Sequence, residues 1–198
     1  MAIELTYERL EEIKESVVDM YEKFDIKCAP ISSFDIAIKM GIKVIPYSAY
    51  SERIQKLMLE ESKDGFVAIN NGKFCICYND ETNNSGRINN TIMHEIGHVV
   101  LEHSQDSKLA EKEVKFFAKY ALAPPVLVHK LELKDEYSIS KAFDISFKAA
   151  RYALAYYNKW LVYGDRNYTS YELKILELFK EAIWERGGYV EGIIQKTH

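Results

Sequence analysis

The chain of 198 residues has 47% apolar and 28% charged side chains and a formal net charge of −4, the profile of an ordinary globular protein able to bury a sizeable core. No apolar run is long enough to span a bilayer, and the charged amphipathic stretch Glu4 to Phe24 stands where a secretory signal would, so a cytoplasmic protein is expected. The acidic balance argues against a chain that coats phosphate backbones, and without a phosphate-binding glycine loop nucleotide chemistry is unsupported.

Periodicity predicts a helix over Tyr7 to Phe24, a second over Ser33 to Met40, a strand over Lys43 to Pro46 and a helical stretch over Ser51 to Glu60. Strands Gly65 to Asn70 and Lys73 to Asn79 follow, joined at Asn70-Asn71-Gly72 as a hairpin. Cys75 and Cys77 share one face of the second strand; as a metal clamp they lack a second pair, and burial in the sheet is the simpler reading. With the isolated Cys28 they suit a reducing compartment. Asn83-Asn84-Ser85-Gly86 reads as a loop before the next helix, for which Asn89, Asn90 and Thr91 offer capping side chains.

That helix carries His94-Glu95-Ile96-Gly97-His98, with Ile92, Ile96, Val99, Val100 and Leu101 as its apolar stripe. Residues i and i+4 share a helix face, so His94 and His98 can hold one zinc ion while Glu95 lies beside the water it activates. This is the residue pattern of metal-assisted peptide hydrolysis. The alternative is a core helix with two satisfied histidines, but that would not require the adjacent glutamate or the small Gly97.

A third ligand must come from elsewhere. On a continuous helix His103 is rotated about 140° from His98, which makes it a supporting or surface residue. Leu101 and Ser104 exclude the extended three-histidine motif. The next helix, Ser107 to Leu122, has an inward stripe of Leu109, Ala110, Glu113, Val114, Phe117, Ala118 and Ala121, while Lys108, Glu111, Lys112, Lys115 and Lys119 face solvent. A carboxylate in an apolar stripe must be paired or bound to metal, which makes Glu113 the expected ligand and Glu111 a surface residue in an ion-pair lattice. The competing reading has Glu113 capping or salt-bridging within the core.

Pro124-Pro125 ends this helix. A short helix near Tyr137 to Ala142, a turn at Phe143-Asp144-Ile145 and a longer helix from Ser146 have a helix-turn-helix outline, yet Lys141, Lys148, Arg151 and Lys159 make only a modest positive tally, which argues against DNA binding. Tyr152, Tyr156, Trp160 and Tyr163 recur at packing intervals. Thr169 and Glu172 form a capping box opening a last helix, with Leu173, Leu176, Phe179 and Ile183 inward and Gly187-Gly188 at its close, expected to dock on the tyrosine-rich helix.

The run from His94 through His103, then Glu111-Lys112-Glu113-Val114-Lys115-Phe116-Phe117-Ala118 and on to Pro124, resembles the ImmA/IrrE family of metalloendopeptidases. Asp64-Gly65-Phe66, the strand from Lys73 with Asn79-Asp80, Arg87 to Ile92, and Phe143 to Ser146 with Ala149-Ala150-Arg151 are also similar to that family. Val114 and Lys115 depart from it, where alanine and asparagine are common. The resemblance implies one zinc per chain (manganese serving in vitro) held by His94, His98 and Glu113, with Glu95 as general base and proton shuttle.

The fold expected is α+β: a small zincin-like metallopeptidase core of helices with a small β-sheet over residues 1–125, then a helical C-terminal region over 126–198. A strand near the metal could pair with an extended substrate; Lys73 to Tyr78 is the candidate, with plain burial in the sheet as the alternative. By resemblance the protein substrate is a helix-turn-helix repressor, whose cleavage would derepress mobile-element or stress genes. The rival reading is a non-catalytic regulatory binding protein, of a partner or toxin–antitoxin type, that keeps the zinc pocket. Glu95 favours the enzyme, because a structural zinc needs no base beside an open site.

Overall fold

A computed structural model describes residues 4–82, 84–105, 107–164 and 167–185. Asn83, the side chain of Tyr163 and the expected helix-closing pair Gly187-Gly188 lie outside the described residues.

The chain forms two compact units interleaved in sequence: residues 1–13 with 32–118, and residues 14–31 with 119–198. In chain order the elements are α1 (Tyr7–Lys23), α2 (Ser33–Lys39), β1 (Lys43–Pro46), a 3₁₀ turn (Tyr47–Ala49), α3 (Glu52–Glu61), β2 (Gly65–Asn70), β3 (Lys73–Tyr78), α4 (Ser85–Val100) and α5 (Lys108–Leu122). There follow α6 (Pro125–Lys130), α7 (Glu136–Phe143), α8 (Phe147–Gly164), α9 (Ser170–Leu178) and α10 (Lys180–Glu185). This is the expected α+β class, helices with one small sheet. No helix among the described residues is long and apolar enough to cross a membrane.

In the first unit the sheet has strand order β1-β3-β2, with β1 parallel and β2 antiparallel to β3. Asn71 and Gly72, at φ of 50° and 72°, make the two-residue turn between β2 and β3, the left-handed backbone that such hairpins require. Cys75 and Cys77 turn to one face and are buried with Tyr47, against Ile45, Tyr50 and Phe66. The sheet corrects the expectation that Lys73 to Tyr78 could receive a substrate. Both edges of β3 are already hydrogen-bonded, to β1 and to β2, so the strand is buried in the ladder and has no free edge.

The helix that bears the histidines begins earlier than expected. Its N-cap is Asn84, whose side chain accepts the Arg87 N–H at 2.9 Å, so Ser85 and Gly86 belong to the first turn and not to a loop. Asn89 is instead a buried residue one turn further in. Ile92, Met93 and Ile96 of α4 are fully buried, as are Ile36 and Ala37 of α2 and Val114 and Phe117 of α5. Leu109, in the first turn of α5, is exposed.

The second unit is all helical among its described residues. Pro125 does not simply stop a helix; it sits at the first position of α6, where its missing N–H costs nothing. Asp144, at φ of 47°, turns the chain from α7 toward α8. The Thr169 capping box is present, and its Glu172 carboxylate also accepts the Trp160 indole N–H at 2.5 Å, which docks α9 on α8 as expected. Trp160 stacks on Tyr157 and Tyr168. Leu176, Phe179 and Ile183 are buried, whereas Leu173 is half-exposed and departs from the predicted stripe. The last helix also breaks at Phe179, the C-cap of α9.

Candidate metal centre

Two close approaches place α4 against its neighbours in the first unit. Gly65, at the start of β2, faces Thr91, and a Cβ at Gly65 would stand 2.7 Å from Thr91 Cγ2 and 2.9 Å from the Cys77 carbonyl oxygen. One turn beyond His94, Gly97 faces Val114 and Phe117 of α5. Helix α5 therefore crosses α4 near the motif and carries its own first turn past the two imidazoles.

The side chain that this crossing brings to them is Glu111. Its Oε1 lies 3.4 Å from Nε2 of His94 and 3.4 Å from Nε2 of His98. Among the described residues, His94, His98 and Glu111 are a set of three metal-type donors whose ligand atoms all lie within 4.8 Å of one another. Zinc bonds of ~2.0–2.1 Å in a tetrahedron separate neighbouring donors by about 3.3–3.4 Å, so the carboxylate-to-imidazole spacing suits one ion. Two imidazoles and one carboxylate are also a donor set that catalytic zinc uses while keeping a position open.

This corrects the expectation for Glu113. That residue does point inward and is buried, but its carboxylate is taken: Arg9 donates Nε–H to Oε1 at 2.8 Å and Nη2–H to Oε2 at 2.9 Å, and His103 Nε2 lies 2.8 Å from Oε2. The salt-bridged reading holds. Residues two apart on a helix diverge by about 200°, so Glu111 and Glu113 cannot share one partner. Glu111 does pair with Lys115, Oε2 to Nζ at 2.9 Å, as the surface lattice predicted, but its other oxygen is turned on the histidines.

His103 is the other departure. Helix α4 ends at Val100, and Glu102 takes φ of 54°, while the N–H groups of Glu102 and His103 return to the carbonyls of Val99 and His98. This left-handed turn folds the chain back, so His103 lies beside His98 with Nδ1 to Nδ1 at 3.3 Å. The rotation that would carry it away applies only to a helix that continues.

The electrostatics follow the same division. Burial pushes the His94 imidazole below its ordinary pKa, opposed by the Glu111 charge, so the neutral form that ligates metal is favoured. Burial works against ionisation of Glu111, yet Lys115 and His94 outweigh it and hold the carboxyl below its ordinary value. Glu113 is also lowered, chiefly by the Arg9 hydrogen bonds, against burial and with help from His103. Glu95 is buried on α4 beside His94, and its charge, after burial and Cys77, contributes to raising the nearby Tyr47 hydroxyl to about 12.

Paired histidines and a glutamate on one buried helix, with a carboxylate delivered by the next, make up the residue pattern used in metal-assisted hydrolysis. Residues 39–155 match the IrrE N-terminal-like domain, Peptidase_M78, and the chain belongs to that ImmA/IrrE family of peptidases. No curated protein matches the chain.

Proposed function

We propose that the chain is a zinc-dependent endopeptidase in which His94, His98 and Glu111 hold the metal and Glu95 moves the proton. The observation that supports this most directly is the single Glu111 oxygen placed 3.4 Å from both imidazole Nε2 atoms. When bound, zinc would polarise the scissile carbonyl and lower the pKa of water toward ~7. Glu95, next to His94 on the same buried helix, would accept the proton of the attacking water and return it to the leaving amine. Lys115 holds the second oxygen of Glu111 and leaves the first for the histidine face.

An extended substrate would add to β2. That strand is an edge of the sheet, and it meets α4 at Gly65 and Thr91, one turn before His94. The substrate class we assign is by resemblance to the family alone: a cytoplasmic helix-turn-helix repressor, cut so that it loses the part that dimerises it on DNA.

The test is incubation of the zinc- or manganese-loaded protein with the repressor encoded beside its gene, followed by fragment masses and operator binding. One discrete cut, absent with Glu95→Gln and accompanied by loss of operator binding, is expected. If the repressor stays intact and both proteins release it from DNA stoichiometrically, the chain is a regulatory binding protein and the peptidase reading fails.

A further inference from the structure

Behind His98 lies a set of partly buried polar contacts that a three-ligand site does not by itself require. Arg9 of α1, Glu113 of α5 and His103 beyond α4 come from three parts of the chain and meet on the side of His98 that faces away from Glu111. We propose that these residues form a relay that fixes the tautomer and orientation of His98, with His103 as the positioning residue in direct contact. This rests on the metal reading given above, and it extends that reading to residues outside the ligand set.

The argument is one of donors and acceptors. An ionised carboxylate only accepts, and Arg9 already donates to both oxygens of Glu113. His103 Nε2, 2.8 Å from Oε2, must therefore carry the proton of that hydrogen bond. A neutral imidazole protonated at Nε2 has a bare Nδ1, and that atom lies 3.3 Å from Nδ1 of His98. His98 must then donate Nδ1–H, which leaves its Nε2 lone pair unprotonated. That is the nitrogen facing Glu111 Oε1.

For a neutral His103 each link follows from the one before it and the bidentate Arg9 fork holds the first, while Glu111 Oε1, an acceptor 3.4 Å from His98 Nε2, pulls the other way in the zinc-free protein. The side chains of His98, His103 and Glu113 are only 10%, 11% and 7% exposed, so water competes little for these bonds. The inverse arrangement, with His103 donating from Nδ1, would put a proton on His98 Nε2 and remove its lone pair from the metal side. Partners that orient a ligating histidine are worth roughly 10–100-fold in metal affinity.

The test uses the zinc-free, full-length protein with ¹⁵N-labelled histidine at alkaline pH. Long-range ¹H–¹⁵N spectra should show His98 protonated at Nδ1 and His103 at Nε2. His103→Phe, checked for fold by circular dichroism, should move His98 toward the Nε2–H tautomer and weaken zinc binding by roughly 10–100-fold. Glu111→Gln should weaken zinc binding while leaving the His98 tautomer as it was.

A wild-type His98 protonated at Nε2 overturns the relay, as does a folded His103→Phe protein with unchanged tautomer and zinc affinity. If His103→Phe does not fold, the wild-type spectrum decides alone. If the wild-type protein binds no zinc, the metal reading fails, and the tautomers of the zinc-free protein still judge the relay separately.

Discussion

A Cβ placed on Gly97 would stand 3.0 Å from Cδ1 of Phe117 and 3.3 Å from Cβ of Val114. Both neighbours are fully buried, so neither has room to yield. Alanine is the better helix former by ~1 kcal/mol, but overpacking a filled core costs ~1–3 kcal/mol. Gly97→Ala should therefore lower the melting temperature by a few degrees, at roughly 2–4 °C per kcal/mol for a chain of this size. It should also weaken zinc binding, because the same crossing sets Glu111 against the histidines. An unchanged melting temperature with unchanged zinc affinity would contradict this account of the crossing.

Metal content separates the two glutamates of α5. The purified protein should carry about one zinc per chain. Glu111→Ala should lose most of it under dialysis, as should His94→Ala and His98→Ala. Glu113→Ala should retain the ion with reduced affinity, since its carboxylate supports His103 and is not directed at the imidazole Nε2 atoms. Elemental analysis of the dialysed variants checks this; zinc loss from Glu113→Ala but not from Glu111→Ala would reverse the assignment.

Glu95 is expected to be needed for the reaction and not for the ion. Glu95→Gln keeps the shape of the side chain and removes the base, so zinc content and melting temperature should stay near wild type while turnover falls by ~10²–10⁴-fold or more. Cleavage at the wild-type rate would remove Glu95 from the proton path.

Acid sensitivity should report the Arg9–Glu113 pair. The folded state holds the Glu113 carboxyl below its ordinary 4.5, chiefly through Arg9. Below that value the unfolded chain binds the proton more readily than the folded one. The stabilisation is thus fully present above the unfolded pKa and is lost as pH falls through the folded one. The gap in urea midpoint between wild type and Glu113→Gln should be widest at pH 7, begin to narrow by ~pH 4 and go on narrowing below it. A constant gap between the two proteins would mean that the ion pair adds nothing to stability.

Local chemistry made much of this molecule readable from its sequence. The Asn71-Gly72 turn and the Thr169-Glu172 capping box each specify their own backbone, and both are present. Where two local signals competed, the sequence could not arbitrate. Asn89 and Asn90 offered capping groups nearer the motif than Asn84 did, and Pro124-Pro125 marks the end of one helix and the start of another equally well.

The carboxylate that meets the histidines is hard to read from the sequence for a different reason. The apolar stripe identifies what faces the core, but a metal site with an open position lies at the core's rim, where Glu111 is 40% and His94 18% exposed. Core logic selects Glu113, at 7%, which was buried to meet Arg9. Arg9 was invisible because 104 residues separate it from its partner. His103 was hidden by a chain reversal at Glu102, a residue type that seldom takes positive φ.

The buried Asn89 has a mechanical role. Its Oδ1 accepts the backbone N–H of Ser33, in the first turn of α2, at 2.7 Å. One helical residue advances by ~1.5 Å, so sliding α4 along its axis by a single step would break that bond. Metal–ligand distances tolerate only ~0.2 Å, a far finer limit than apolar packing imposes. Asn89 thus acts as an index pin: the hydrophobic faces decide which side of α4 is inward, and one amide oxygen decides how far along its bore the helix is seated.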